Sequence, residues 1–157
     1  MEKVIATALL TTAAVVAAVM LINALLPSAT RGSSSIRSSS ESASSQIETD
    51  IDIIATDHPT TTVVLWIKNV GTADVIAINN SDVFLEETGG VSFTRMTYED
   101  PQATTDTWRY ILEDGETVWK PNNTVRIVIT LATAADGDYE VTFITNNGVE
   151  AKKKFST

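Results

Sequence analysis

The pattern of hydrophobic and polar positions divides the chain into three parts, of which the first is an unbroken apolar run. Residues 4–26 contain no charged residue, proline or glycine. At about 1.5 Å per residue, a helix of this length spans roughly 34 Å, enough to cross a bilayer core of about 30 Å. The apolar region of a secretory signal peptide is shorter, at about 7 to 15 residues. The run therefore predicts a membrane-length helix that is retained.

The composition of this helix is unusual for a lipid anchor. Alanine and threonine fill ten of its 23 positions, and it has no aromatic residue. Lipid-facing helices commonly carry Trp or Tyr at the membrane interfaces, whereas small side chains let helix backbones approach each other closely. An ordinary alanine-rich anchor and a helix that packs against copies of itself are both compatible with the run, and the composition favours the second.

The second part, residues 27–46, is rich in serine. Pro27 is expected to kink or end the first helix, because proline lacks the N–H that the helix needs. Serine-rich composition is typical of a flexible linker. However, Ile36, Ala43 and Ile47 are spaced by seven and four residues and would share one helical stripe. We expect this segment to be disordered alone in water, and to continue the helix where identical neighbours clamp it.

The third part, residues 47–157, consists of short alternating or β-branched runs between turn signals, which indicates β structure. The Asn147-Gly148 dipeptide is the strongest hairpin signal, because it tolerates the positive φ of a tight turn. Predicted strands lie near residues 49–56, 62–69, 73–78, 82–87, 91–97, 107–113, 116–119, 124–132, 138–145 and 149–155. The spacing of these strands predicts an immunoglobulin-like antiparallel β-sandwich (residues 47–157). Together with the long apolar N-terminal helix and its serine-rich extension (residues 1–46), this gives an α+β chain.

Alternation along the strands also predicts the core. The inward positions are Val63, Leu65, Ile67, Val125, Ile127, Ile129, Leu131, Tyr139, Val141 and Phe143. Trp66 and Trp108 are expected to pack in the core as well, with a subunit contact as the alternative.

Charge is distributed unevenly between the parts. Residues 1–46 carry three basic and two acidic side chains, whereas residues 47–157 carry eight basic and eighteen acidic ones. This acidity argues against a nucleic-acid partner, because phosphate binding depends on Lys and Arg. The only basic cluster, Lys152–Lys154, is interpreted as a charged edge strand. The absence of cysteine excludes disulfides and thiolate metal sites.

Candidate chemistry is sparse. The single histidine, His58, precedes a proline in a turn, where it is expected to be solvated. The acids Asp50, Asp52 and Asp57 do not have the spacing of a calcium loop, and Asp136-Gly137-Asp138 is typical of a turn. No nucleophile elbow, phosphate loop or dinucleotide motif occurs, so the sequence predicts neither an enzyme nor a cofactor. Two sequons, at Asn79 and Asn122, are candidate glycosylation sites in predicted surface turns.

The order of these parts carries a family resemblance. The helix end "VMLINALL", the segment "SSQIETDIDIIATD" and the stretch "KNVGTADVIAINNSDVFL" together resemble the archaellins, subunits of the archaeal-type swimming filament and relatives of type IV pilins. The resemblance covers the layout of the whole chain. Type IV pilins commonly have Glu at the fifth mature position, and Ile5 here fits archaellins better. The resemblance implies that a charged leader is removed directly before the apolar segment; none is visible here, so Met1 is either the initiator or the residue left after cleavage.

The resemblance implies that N-terminal helices bundle into the core of a filament while the β domains tile its surface. The positions expected to pack in that core are Ala6, Leu10, Ala13, Ala14, Ala17, Ala18, Leu21 and Leu25. The hypothesis is a structural, non-enzymatic subunit of an extracellular motility filament. Its partners would be copies of itself, the membrane before assembly, and the archaellum motor and assembly machinery.

Two alternatives remain open. The stretch Trp66–Thr72 is also similar to the accessory stator proteins of the same motor, which would bind the cell wall through the sandwich while the helix stays in lipid. An adhesive pilin is the third interpretation.

Overall fold

A computed structural model describes residues 2–89, 92–112 and 115–156, and in the helix it leaves the side chains of residues 26 and 28–31 undescribed. The chain divides between Ser42 and Ala43 into two compact units. The described elements, in chain order, are helix α1 (Glu2–Glu48) and strands β1 (Ile51–Asp57), β2 (Thr62–Asn69), β3 (Asp82–Glu87), β4 (Phe93–Tyr98), β5 (Thr107–Leu112), β6 (Thr124–Thr130), β7 (Asp138–Ile144) and β8 (Glu150–Ser156).

Helix α1 continues through both Pro27 and the serine-rich segment. The prediction that Pro27 could end the helix is therefore wrong, and the helical interpretation of the serine-rich segment is the one found. An internal proline costs a helix about 3 kcal/mol, largely through one missing hydrogen bond. A helix of this length is nucleated only once, so the alanine- and leucine-rich segment before Pro27 offsets part of that cost.

The eight strands form the predicted β-sandwich. One sheet has the order β1-β2-β6-β5 and the other has the order β4-β3-β7-β8. A short parallel pairing, Thr97 with Thr107 and Tyr98 with Trp108, joins β4 to β5 and makes the hydrogen-bonded order continuous. Every other strand pairing is antiparallel, as predicted. The two ends of this order, β1 and β8, approach each other.

Two predicted strands, 73–78 and 116–119, are wrong. They meet only through an isolated bridge between Val75 and Trp119, and residues 78–80 form a 3₁₀ turn. Ala77 has a positive φ of 53°, which breaks the extended conformation directly after the bridge. Val75 and Trp119 are nevertheless buried, so these runs contribute to the core without joining the sheets.

The core contains the predicted inward side chains. Val63, Leu65 and Ile67 on β2, and Val125, Ile127 and Ile129 on β6, are fully buried, and Leu131, Val141 and Phe143 are also buried. Tyr139 is only partly buried and packs against this core.

The three tryptophans have different environments. Trp108 packs edge-on against Phe143, at 6.0 Å between ring centroids, as predicted for the core. Trp119, which sequence analysis did not assign to the core, is fully buried beside the same ring. The prediction that Trp66 packs in the core is wrong, because it is half-buried between two inward-facing residues of β2 and so lies on the outside of its sheet.

Candidate assembly surfaces

The N-terminal half of α1 presents an uninterrupted apolar surface. From Glu2 to Leu25 the helix is long and apolar enough to cross a membrane, with a mean hydropathy of 2.4, and none of this segment is buried. Leu10, Leu21 and Leu25 are among its large exposed side chains. Such a surface requires either lipid or other protein around it, because exposure of this much apolar area to water is unfavourable.

The eight predicted packing positions share one side of this helix. At 100° per residue they fall within an arc of about 140°, and all eight are exposed. The opposite side carries larger β-branched residues: Val15, Val16, Val19 and Ile22. A helix that is apolar all round is surrounded by apolar material in its working state. Five of the eight predicted positions are alanine, and such small side chains let another helix approach closely.

The threonine hydroxyls of this segment bond back to the helix. Thr7 Oγ1 donates to the carbonyl of Lys3 at 2.7 Å, and Thr12 Oγ1 donates to the carbonyl of Ala8 at 2.8 Å. Thr11 Oγ1 also donates to Ala8, at 2.9 Å. An unpaired hydroxyl is costly in apolar surroundings, and this back-bonding removes that cost. Threonine therefore acts here as a small apolar residue.

The C-terminal end of α1 belongs to the second compact unit and is fastened to it by backbone hydrogen bonds. The carbonyl of Glu48 accepts hydrogen bonds from the backbone N–H groups of Thr72 at 2.8 Å and Ala73 at 3.1 Å. A Cβ at Gly71 would lie 2.5 Å from the Glu48 carbonyl oxygen and from the Asp50 nitrogen. The last helical carbonyl is thus capped by a loop that only glycine allows to approach.

A second set of bonds fastens the helix end to the β7–β8 turn. Asn147 Nδ2 donates to Thr49 Oγ1 at 2.8 Å, and the Asn147 carbonyl accepts from Gln46 Nε2 at 2.8 Å. Thr145 Oγ1 donates to Asn147 Oδ1 at 2.6 Å and holds the amide in place. Gly148 has a φ of 87°, which agrees with the predicted hairpin turn. The Asn-Gly dipeptide predicts the turn, but no sequence pattern predicts the contact with the helix end, because the bonded residues lie about a hundred positions apart.

Loop electrostatics stabilise the turns of the sandwich. The Glu99 carboxylate accepts hydrogen bonds from the Thr104 hydroxyl and from the backbone N–H groups of Ala103 and Thr104, which lower the pKa of Glu99. The Lys120 ammonium donates to Glu116 at 2.6 Å; this bond lowers the pKa of Glu116 and raises that of Lys120. Burial, followed by the nearby Tyr110, raises the pKa of Tyr98.

The candidate metal residues do not assemble into a site. Within the part of the chain that the structure describes, no three His, Cys, Asp or Glu side chains form a group that could hold a metal ion. His58 stacks on Phe155 at 5.5 Å between ring centroids and is half-buried, which corrects the expectation that it is solvated. It therefore has a packing role where β1 and β8 approach each other.

The remaining predicted positions lie at the surface. Asn79 is exposed in the 3₁₀ turn, and Asn122 is exposed in the turn before β6. Lys152–Lys154 lie on β8, which is an edge strand as predicted.

Comparisons with known proteins give a consistent assignment. A family model described as archaeal-type flagellin matches residues 2–155. An uncharacterized protein of Archaeoglobus fulgidus is 30% identical over an alignment 166 positions long, which covers 99% of this chain and 98% of that protein.

Two solved structures are similar in fold. The archaellum periplasmic stator protein FlaG from Sulfolobus acidocaldarius aligns with a TM-score of 0.58 and 22% identity, covering 68% of this chain and 99% of that one. The archaeal flagellin FlaB1 from Methanocaldococcus jannaschii aligns with a TM-score of 0.58 and 15% identity, covering 69% and 90% respectively. At these identities the likeness shows the fold alone, and the two structures support it equally.

Proposed function

Because the chain belongs to the archaeal-type flagellin family and so has an archaellum-related role, we propose that it is the structural subunit of an extracellular archaellum-like motility filament. Members of this family are structural components of the archaellum, and the family is not a class of enzymes. The proposal specifies which structural part this chain forms. It polymerises through α1, and the β-sandwiches cover the outside.

The observation that carries the proposal is the apolar surface of residues 2–25, exposed on every side of the helix. Burial of apolar surface contributes about 25 cal/mol per Å², so removing ~1,000 Å² of helix from water contributes roughly 25 kcal/mol before ordering costs. Water therefore does not support a free subunit. The chain resides in the membrane before assembly, and the helix then moves into a bundle of identical helices at the cell surface.

The serine-rich half of α1 favours a bundle over a solitary anchor. Serine is a mediocre helix former, and an isolated helix of such composition is marginal in water. Ile36 and Ile47 are two large apolar side chains on one stripe of this segment, and both are highly exposed, at 73% and 84%. Neighbouring copies would cover that stripe and stabilise the helical state. A single lipid anchor supplies no such partner.

In this assembly the chain is passive mechanical material. The helix contact between copies is heterologous, since one side of a helix meets a different side of the next. Heterologous contacts that do not close into a ring generate open helical polymers. Rotation would come from the archaellum motor, a separate machine with which the base of the filament is connected.

A membrane-anchored stator protein is the second candidate function. The observation that favours it is the equal fold likeness to the Sulfolobus stator protein, of which the alignment covers 99%. This function predicts a single or dimeric chain whose helix stays in lipid and whose sandwich binds the cell wall.

Electron microscopy of filaments sheared from motile cells separates the two functions. We expect fibres whose main component, identified by mass spectrometry, is this chain. A motile cell whose sheared filaments lack the chain, while the detergent-extracted membrane contains it as a monomer or dimer, would support the stator and refute the filament.

A further inference from the structure

The outer surface of the first sheet carries a compact group of arginine and apolar side chains. On β2, Trp66 lies directly opposite Arg126 of β6, and Val64 lies opposite Val128. The adjacent strand β5 places Arg109 beside Val128 and Ile111 beside Arg126. We call these six residues the tryptophan face. Directly paired residues on one side of a sheet are in contact range, so the six form one continuous surface.

The second feature of the tryptophan face is the charge of its two arginines. Among the residues that the structure describes, neither Arg109 nor Arg126 forms an ion pair, although the domain around them is strongly acidic. The Nε atom of Arg109 is buried and has no hydrogen-bond acceptor among the described residues. Tryptophan and arginine are the residue types most enriched at the centres of protein interfaces. The composition of this face is therefore that of a binding surface.

The outer surface of the second sheet carries a phenylalanine pair among acidic and basic side chains, and Arg95, opposite Phe84, forms an ion pair with Asp82. The rings of Phe84 and Phe93 stack there at 5.3 Å between centroids, and Phe93 is 66% exposed. Glu86 lies opposite Phe93 on one side and opposite Glu140 on the other. We call these four residues the phenylalanine face. Glu140 is paired with Lys154 at 3.6 Å, but Glu86 is exposed and has no ion pair within the described residues.

We infer that the tryptophan face of one copy binds the phenylalanine face of the next copy. Each face combines aromatic side chains with one exposed charge that has no ion pair among the described residues, Arg126 on the first and Glu86 on the second. These two charges are of opposite sign, which is the complementarity that specifies a partner and a register. The inference rests on the proposed filament and adds a lateral contact in its outer layer. Because the two faces belong to different sheets of one sandwich, the contact is heterologous, and within an open filament it repeats from copy to copy.

Tryptophan fluorescence tests the contact directly. Trp108 and Trp119 are buried, so a water-soluble quencher such as acrylamide reports mainly on Trp66. We expect strong quenching in the detergent-extracted full-length chain and a severalfold lower quenching constant in intact filaments. A Trp66→Phe variant, which should lose the difference between the two states, is the control for this assignment.

Charge reversal tests the pairing. Arg126→Glu and Glu86→Arg should each lower the polymerised fraction about fivefold, since like charges then face each other across the contact. The double variant should recover most of the loss. Lys153→Glu is the matched control, because Lys153 is exposed on β8 opposite Val141 and lies on neither face.

The outcomes distinguish the contact from the filament. Normal filaments in which Trp66 remains fully quenchable, or reversals without mutual rescue, would overturn the contact and leave the filament intact. If the chain forms no filaments, the proposed function is wrong, and the contact is then decided by quenching against concentration of the extracted chain. Protection that rises with concentration would support it, and constant quenching would overturn it.

Discussion

Helix and sandwich differ in where their apolar side chains find partners. In the sandwich, Val63, Ile127 and Val141 have no exposed area, because each is covered by the opposite sheet. Along residues 2–25 of the helix, every side chain is exposed. Apolar groups avoid water in both regions. The sandwich buries its apolar side chains within itself, whereas the helix requires other molecules to cover them. Changes in the buried core of the sandwich should therefore act on folding, and changes along residues 2–25 of the helix should act on assembly.

The largest expected effect comes from enlarging side chains on the side of the helix that carries the eight predicted packing positions. Ala13→Leu combined with Ala17→Leu should abolish filaments, with at least a tenfold loss of sedimenting polymer. Overpacking a tight interface costs about 1 to 3 kcal/mol per site, and the cost recurs in every subunit. Sedimentation and electron microscopy of sheared material measure the loss, while membrane insertion and the unfolding of the sandwich should stay unchanged.

The matched control changes shape without adding volume. Leu10→Ile combined with Leu21→Ile lies on the same arc and conserves side-chain volume, so filaments should still form. Polymer of normal yield from the double leucine variant would refute close helix packing, and would favour an anchor that lipid surrounds.

The second effect is confined to the sandwich. Trp119→Ala should lower the free energy of unfolding by about 3 to 5 kcal/mol, as expected when a large buried aromatic side chain is removed. It also removes the hydrogen bond from Trp119 Nε1 to the Asn123 carbonyl, at 2.9 Å. Denaturant unfolding of the detergent-extracted chain measures the change. Trp66→Ala should cost much less, and a comparable loss from both would contradict the burial difference between the two tryptophans.

The elements that the sequence predicts correctly are those whose signal lies within the element itself. Strands β2 and β6 were predicted because strict alternation puts a whole hydrophobic set on one side, and a slip by one residue would expose all of it. The runs around Val75 and Trp119 carried the same residue types but lay in irregular backbone, where burial does not require a ladder. The two wrong strand predictions show that apolar composition locates core residues more reliably than it locates strands.

The helix and its end show what local rules cannot supply. Proline and serine propensities predicted a break or a linker near Pro27, yet the helix continues to Glu48. Its end is fixed by Thr72, Ala73 and Asn147, and no local pattern connects these residues to the helix. The predicted packing positions do lie on an exposed apolar helix, but their contacts involve other copies and stay a prediction.

The third effect tests this fastened helix end with two glycines of one chain. Gly71→Ala should destabilise the second unit by roughly 2 kcal/mol, since the added Cβ would meet backbone atoms of Glu48 and Asp50 and the cap would have to shift. Gly32→Ala is the control, because Gly32 lies within α1 and a Cβ there meets nothing within 4 Å. That change should stabilise the helix by up to about 1 kcal/mol. Thermal unfolding followed by circular dichroism gives both signs, and destabilisation by both would remove the argument for a specific cap.

The smallest effect concerns acid. The pKa values of Glu99 and Glu116 are lower in the folded chain than the usual 4.5, owing mainly to hydrogen bonds from Thr104 and Lys120 respectively. A lowered pKa contributes stability that is fully present above the unfolded value and is lost as pH falls through the folded one. The free energy of unfolding should therefore fall as the pH is lowered from about 5 to 3. Glu99→Gln and Glu116→Gln should each make that fall smaller.

Because both carboxylates remain partly accessible to water, the contribution of each should be small. The Glu116 contribution should also weaken with added salt, because its partner is an ammonium group. The helix offers the contrast: residues 4–26 contain no titratable side chain, so filament assembly driven by that segment should not follow the same pH curve. Parallel titrations of sandwich unfolding and polymer yield measure the two curves. Coincident acid midpoints would mean that assembly depends on the loops of the sandwich as much as on the helix, and would remove the separation between the two units.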